Sequence, residues 1–180
     1  MTSTRAIVLV TMLALATGAL AQGPDTIGLW FDTDYTVNII NPPPAPLVAY
    51  LVLHEPSAAQ IAAASFQLVW PDPTVIVLAT SWNGGPVVQF DGGCALIGYG
   101  TPLPTLPETL LATYTILVVS QLDNGLVRIL ACSGDACPFY SDGSQAICMD
   151  TPYDDGVVAC IGNCSVAAEA RTWSSVKSLY

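Results

Sequence analysis

The sequence is poor in basic residues and in charge altogether: Lys and Arg total 4 against 14 Asp and Glu, and only 10% of the chain is charged. The resulting net charge of −10 repels phosphate backbones and anionic lipid, which argues against nucleic acid and acidic membrane surfaces as partners. Histidine occurs once, at His54, where a strand end beside Glu55 and Pro56 is read as a solvated position. There is no Gly-x-Ser-x-Gly elbow, no His-Glu-x-x-His and no glycine-rich phosphate loop. Beyond the first residues, no apolar run reaches the ~20 residues that span a bilayer as a helix. No internal repeat of fixed period is visible.

What is present is apolar. Hydrophobic residues make up 52% of 180, enough for one domain with a real core and too many for a disordered chain. The first residues have the form of an export signal: Arg5 as the positive region, an apolar stretch from Ala6 to Gly18, and the small-x-small pattern Ala19-Leu20-Ala21. The expected organisation is a signal peptide over 1–21, a β-sandwich domain over 22–164 whose C-terminal part is disulfide-rich, and a tail or short helix over 165–180. In that tail Thr172 is a fair N-cap, and Trp173, Val176 and Tyr180 share one face at helical spacing, which reads first as a surface that docks on the sandwich and second as a recognition surface.

The remainder reads as nine to eleven short strands cut by turn residues. Thr109 to Val119 is the expected central strand, with Leu110, Ala112, Tyr114, Ile116 and Val118 toward the core and Leu111, Thr113, Thr115, Leu117 and Val119 under partial cover. Other strands are expected at 27–31, 35–40, 47–54, 65–70, 75–79, 87–90, 94–99, 126–132 and 157–161. Ala58 to Ala64 is alanine-rich and reads as a helical turn between sheets. Thr101 to Pro107 contains three prolines and reads as an exposed loop, and Asp123-Asn124-Gly125 as a hairpin turn. The expected class is therefore all-β, a two-sheet antiparallel sandwich of jelly-roll type with a short C-terminal helix or tail.

Six cysteines, Cys94, Cys132, Cys137, Cys148, Cys160 and Cys164, lie past the leader, and an even count in an exported chain favours three disulfides. Of the 15 pairings six cysteines allow, the preferred local link is Cys132 with Cys137; a zinc site is the competitor. Two oxygen-rich groups suit a hard cation such as calcium, as a structural ion rather than a cofactor: Asp32 with Asp34, joined by Asn38, and Asp150 with Asp154 and Asp155. Ordinary turn chemistry accounts for the same residues. Trp82 beside Asn83 is the best candidate for an exposed sugar-stacking platform, whereas Trp70 shares its face with Phe66 and Leu68 and reads as core.

Three stretches together resemble the cohesin family and related secreted bacterial sandwiches: Leu47 to Leu53, Phe66 to Leu78 with its aromatic strand and Asp/Pro corner, and Glu108 to Val118. The resemblance implies a jelly-roll-like sandwich of two sheets. Cohesins bind dockerins, but the cysteine-bearing C-terminal lobe departs from that family, so no binding residue is carried over. The tail from Thr172 to Tyr180 is also similar to short endings on exported bacterial proteins, which implies a sorting or attachment signal. Together these features lead to three functional expectations. The first is a secreted, non-enzymatic β-sandwich that contacts an extracellular protein, or itself, at the cell surface or in an assembly. The second is a carbohydrate-binding module that binds polysaccharide through Trp82. The third is a secreted hydrolase, for which no particular carboxylate pair is singled out.

Overall fold

Among the described residues, apolar side chains from two sheets close over one core, alternating along strands such as Glu108–Val118 and continuous along Thr26–Trp30 and Val157–Ile161. A computed structural model describes residues 23–71 and 73–164. The expected signal peptide over 1–21 and the expected tail or short helix bearing Trp173, Val176 and Tyr180 lie outside the described residues. The strands are β1 (Thr26–Trp30), β2 (Ile39–Ile40), β3 (Pro46–His54), β4 (Gln60–Val69), β5 (Val75–Trp82), β6 (Val87–Asp91), β7 (Cys94–Pro104), β8 (Glu108–Val118), β9 (Gly125–Leu130), β10 (Phe139–Ser141), β11 (Ala146–Cys148) and β12 (Val157–Ile161). The only regular helical element among the described residues is a short 3-10 turn, Asp154–Gly156.

One sheet has four strands in the order β1-β3-β8-β5, and the second has eight, with β11-β10-β4-β9-β12-β2 as its main path and β7 and β6 beyond the other edge of β4. All strand pairings are antiparallel except β12 with β2. Leu29, Leu51 and Ile116 of the first sheet meet Phe66, Ile97 and Ile129 of the second in a single buried cluster. The two-sheet all-β expectation therefore holds.

The central strand β8 is flanked by β3 and β5, as its length and composition predict. Ala112, Tyr114, Ile116 and Val118 are buried as expected, but Leu111 is buried and Leu110 is not fully so. The cause is a bulge: Leu51 pairs with Ala112 and Val52 with Leu110, so Leu111 is an extra residue that flips the alternation for the first turn of pleat.

Other expectations change for identifiable reasons. Ala58 to Ala64 is not a helical turn; β4 begins at Gln60, and Ile61 and Ala64 pack in the core while small side chains let β7 and β10 flank it. Pro102 does not end β7, because it falls in an irregular stretch between the pairs Ala63–Gly98 and Ile61–Leu103, where no ladder N–H is required of it, and the strand runs on to Pro104. Asp123-Asn124-Gly125 makes no hairpin: β8 and β9 lie in different sheets, so the turn carries the chain across the sandwich, with Asn124 at φ 65°. Of the strand expected over 35–40 only Ile39–Ile40 is formed, and the hairpin β10–β11 is an addition to the strands expected from the sequence.

Candidate functional site

The eight-stranded sheet turns one face to the core and the other outward. Ala64, Phe66, Ala95 and Ile97 point inward, so Ala63, Ser65, Gln67, Cys94, Leu96 and Gly98 alternate onto the outer face. On β6, Val87 pairs with Gly98 and Gln89 with Leu96, which puts both on the same outer side. Of these, Ala63, Ser65, Leu96, Gly98, Val87 and Gln89 line a shallow groove of about 340 Å³, together with Phe139 of β10. None of its lining residues is charged, although the chain carries a net −10. Val87 is 78% exposed and Leu96 40%, so apolar surface stays in contact with water here.

A strap borders the groove. After β9 the chain rises over β4 to β7, where Cys132 is bonded to Cys94, with Cα atoms 5.6 Å apart. Ser65 Oγ lies beneath it, within 3.1 Å of Cys132 Sγ and 3.0 Å of Asp135 Oδ2. The strap ends at Cys137, which is bonded to Cys148 at the end of β11. Cys160 bonds Cys164, four positions on.

All six cysteines are thus paired, and the zinc competitor is left without a thiolate. The preferred link of Cys132 to Cys137 is incorrect. Cys132 is drawn to β7 because it follows β9, whose last residue, Leu130, shares Gln67 as a neighbour with Cys94. That non-local register has no signature in sequence spacing.

The candidate ligand residues fall elsewhere. Trp82 ends β5, half-buried against the core, and meets the Tyr114 ring edge-on at 6.1 Å. Asn83 Nδ2 donates to Leu110 O at 2.9 Å, and its backbone N–H donates to Leu111 O at 2.9 Å, so its amide is engaged in tying this loop to β8. Trp70 packs on the same Tyr114 at 5.5 Å, consistent with its reading as core. Burial pushes the Tyr114 hydroxyl well above its ordinary value.

Asp32 accepts hydrogen bonds from Thr36 N at 2.9 Å, Val37 N at 2.8 Å and Thr36 Oγ1 at 2.6 Å. Slight burial pushes its carboxyl up, but these bonds together outweigh that and hold it below the ordinary value. Its oxygens close the turn that carries Asp34, and Asn38 Oδ1 accepts from the Tyr153 hydroxyl at 3.0 Å. Asp150, Asp154 and Asp155 do line one cleft of about 400 Å³ beside Tyr153 and Gly156. Among the described residues, however, no three acid, histidine or cysteine side chains converge so as to hold a metal ion.

His54 is not solvated. It is 9% exposed, and its Nε2 is buried without a hydrogen-bond partner, as is Trp30 Nε1. Burial lowers its basicity, with Glu108 and Glu55 acting in the opposite direction. The signal that would have revealed this is its pairing with Thr26 on one side and Glu108 on the other, in the middle of a sheet.

Comparison with known proteins gives solved structures alone. The sixth cohesin of scaffoldin B from Acetivibrio cellulolyticus, solved in complex with a Cel5 dockerin, is 11% identical, with 78% of this chain and 99% of that chain covered at a TM-score of 0.55. The cohesin module of a family 33 glycoside hydrolase from Clostridium perfringens is 8% identical, with 77% and 98% covered at a TM-score of 0.52. No family model and no curated protein matches the sequence. At such identities the likeness is one of backbone arrangement, and it agrees with the three stretches that resemble cohesins in the sequence: the chain has a cohesin-like β-sandwich fold.

Proposed function

We infer that the protein is a secreted, non-enzymatic sandwich that works by protein–protein contact at the cell surface or in an extracellular assembly, and that the contact is made through the outer face of its larger sheet. The observation that carries this reading is the uncharged groove along β4, β6 and β7, where Val87 and Leu96 are exposed on an otherwise acidic molecule. Apolar surface on a rigid sheet gains free energy when a partner covers it, and the absence of charge there avoids a desolvation penalty. Support from outside comes from the cohesin structures, one of which was solved with its dockerin. The export-like leader and the three disulfides fit an oxidising compartment. Among the described residues no helix is long and apolar enough to cross a membrane.

Cross-linking on intact producing cells tests the reading, with Val87→Asp and Leu96→Asp beside the native protein. A specific cross-linked partner that is lost in both variants, while the variants keep the native circular dichroism, supports it. A partner retained equally by both moves the contact to another face. N-terminal sequencing of exported protein is expected to begin at Gln22.

A further inference from the structure

The strap is an interruption of a strand. β9 stops at Leu130, opposite Gln67, and β10 resumes in the same direction at Phe139, opposite Ser65. One position of β4 separates the two registers, yet the whole segment from Ala131 to Pro138 lies between them. That excursion crosses the outer face instead of following the edge. It leaves Ser65, a residue on the outward side of a central strand, only 4% exposed.

Little packing holds the strap down. Ser133, Gly134, Asp135 and Ala136 are exposed, and Cys132 is its only fully buried residue. The disulfide to Cys94 and the Ser65 contact to Asp135 hold its middle against the sheet, and the Cys137–Cys148 bond anchors its far end. Cys94 and Cys132 are each 8% exposed, which shields the bond from attacking thiols and makes the cover permanent.

We propose that this strap is a specificity element: by lying over Ser65 between Gln67 and Cys94 it closes one half of the outer face, so that only a partner presenting a single narrow, uncharged apolar segment fits the strip that remains. The proposal rests on the docking reading above and adds to it the kind of partner. Ala63, Val87, Gln89, Leu96 and Gly98 form the floor of the open strip, and Phe139 the wall on the strap's side. A charged side chain entering it would lose water and meet no counter-charge. A broad partner would collide with Cys132 to Ala136. Exclusion of the wrong partner by a fixed obstacle is a common route to discrimination.

A display library of random linear peptides, panned on the native protein, on Val87→Asp and on a Cys94→Ser/Cys132→Ser double variant, separates the possibilities. Peptides selected on the native protein are expected to be uncharged and apolar, and to bind Val87→Asp at least roughly tenfold more weakly. The unpinned variant is expected to bind them less selectively and to admit uncharged peptides with bulkier side chains, which the native protein rejects by a similar factor. Ser65→Ala/Asp135→Asn, which loosens the strap with its disulfide intact, is expected to do the same to a smaller degree and serves if the serine variant does not fold. Native-like selectivity in both loosened proteins overturns the strap's role while leaving the groove in place. Peptides that ignore Val87→Asp, or a panning that returns none, overturn the docking reading itself.

Discussion

Trp30 lays its indole over Gly28 and meets the His54 ring edge-on, with the ring centroids 5.1 Å apart. A Cβ on Gly28 would stand 2.7 Å from Trp30 Nε1, so the glycine is what lets the indole lie flat on the sheet. Beside it the imidazole is buried with Nε2 unpaired, a setting that suits the neutral ring and penalises the cation. Folded His54 therefore binds a proton less readily than it does in the unfolded chain, where its pKa is about 6.5. The unfolded state takes up the proton first as pH falls, so this contribution to stability is complete above about pH 6.5 and is lost progressively below it. Urea denaturation from pH 8 to pH 5 is expected to show that decline, and His54→Gln to flatten it. An unchanged slope in His54→Gln would place the responsible group elsewhere.

Tyr140 is a second buried anchor. Its hydroxyl donates to Asp25 Oδ1 at 2.5 Å and accepts from Ala58 N at 3.2 Å, which joins the β10 strand to the segment before β1 and to the β3–β4 connection. Tyr140→Phe keeps the ring in the core but takes the acceptor from Ala58 N and leaves Asp25 Oδ1 with Ser57 N as its remaining donor, at a cost of about 1–3 kcal/mol. Chemical denaturation reads this directly. Burial, reinforced by the Asp25 carboxylate, pushes the Tyr140 hydroxyl above its ordinary range, so an alkaline absorbance titration should find it ionising late.

The three disulfides are expected to differ in weight. In the chain-entropy account, the Cys94–Cys132 link closes a loop with a sequence separation of 38 and is worth about 4 kcal/mol. For Cys137–Cys148, separation 11, the same account gives about 3 kcal/mol, and for Cys160–Cys164, separation 4, about 2 kcal/mol. Paired Cys→Ser variants compared by urea midpoint should fall in that order, and a reversed order would show that the native contacts around each bond outweigh chain entropy.

Gly162 follows β12 at φ +109°, and a Cβ there would meet Leu122 O at 2.1 Å. Gly162→Ala combines a backbone conformation closed to L side chains with a clash against another backbone, so a loss of about 3 kcal/mol or more is expected. Differential scanning calorimetry of the single variant checks it.

Much of the sandwich could be read from the chain because period-2 burial leaves a local trace: β3, β8 and β12 fall within a residue of where alternation or apolar continuity puts them. What failed was non-local. The bulge at Leu111 is set by β3, the strand character of Ala62 to Ala64 by neighbours on both sides, and the partner of Cys132 by the register of β9 on β4. The same reason hid the groove. Val87, Leu96 and Ala63 are far apart in sequence and share a face only through two pairings, whereas the aromatic signal at Trp82 was visible and marks a side chain packed against the core.

The pairing of Ile39–Ile40 with Cys160–Ile161 has a consequence for how the molecule is made. An early segment waits for the last described strand before it finds its place, and β9 has β12 as the neighbour on its far edge. A nascent chain stopped short of Val157 would present the bare rim of β9 to any other strand in reach, an invitation to clumping. Ribosomal truncation products ending before that point should thus precipitate, while those that include the final cysteine pair should pass into solution as finished bodies.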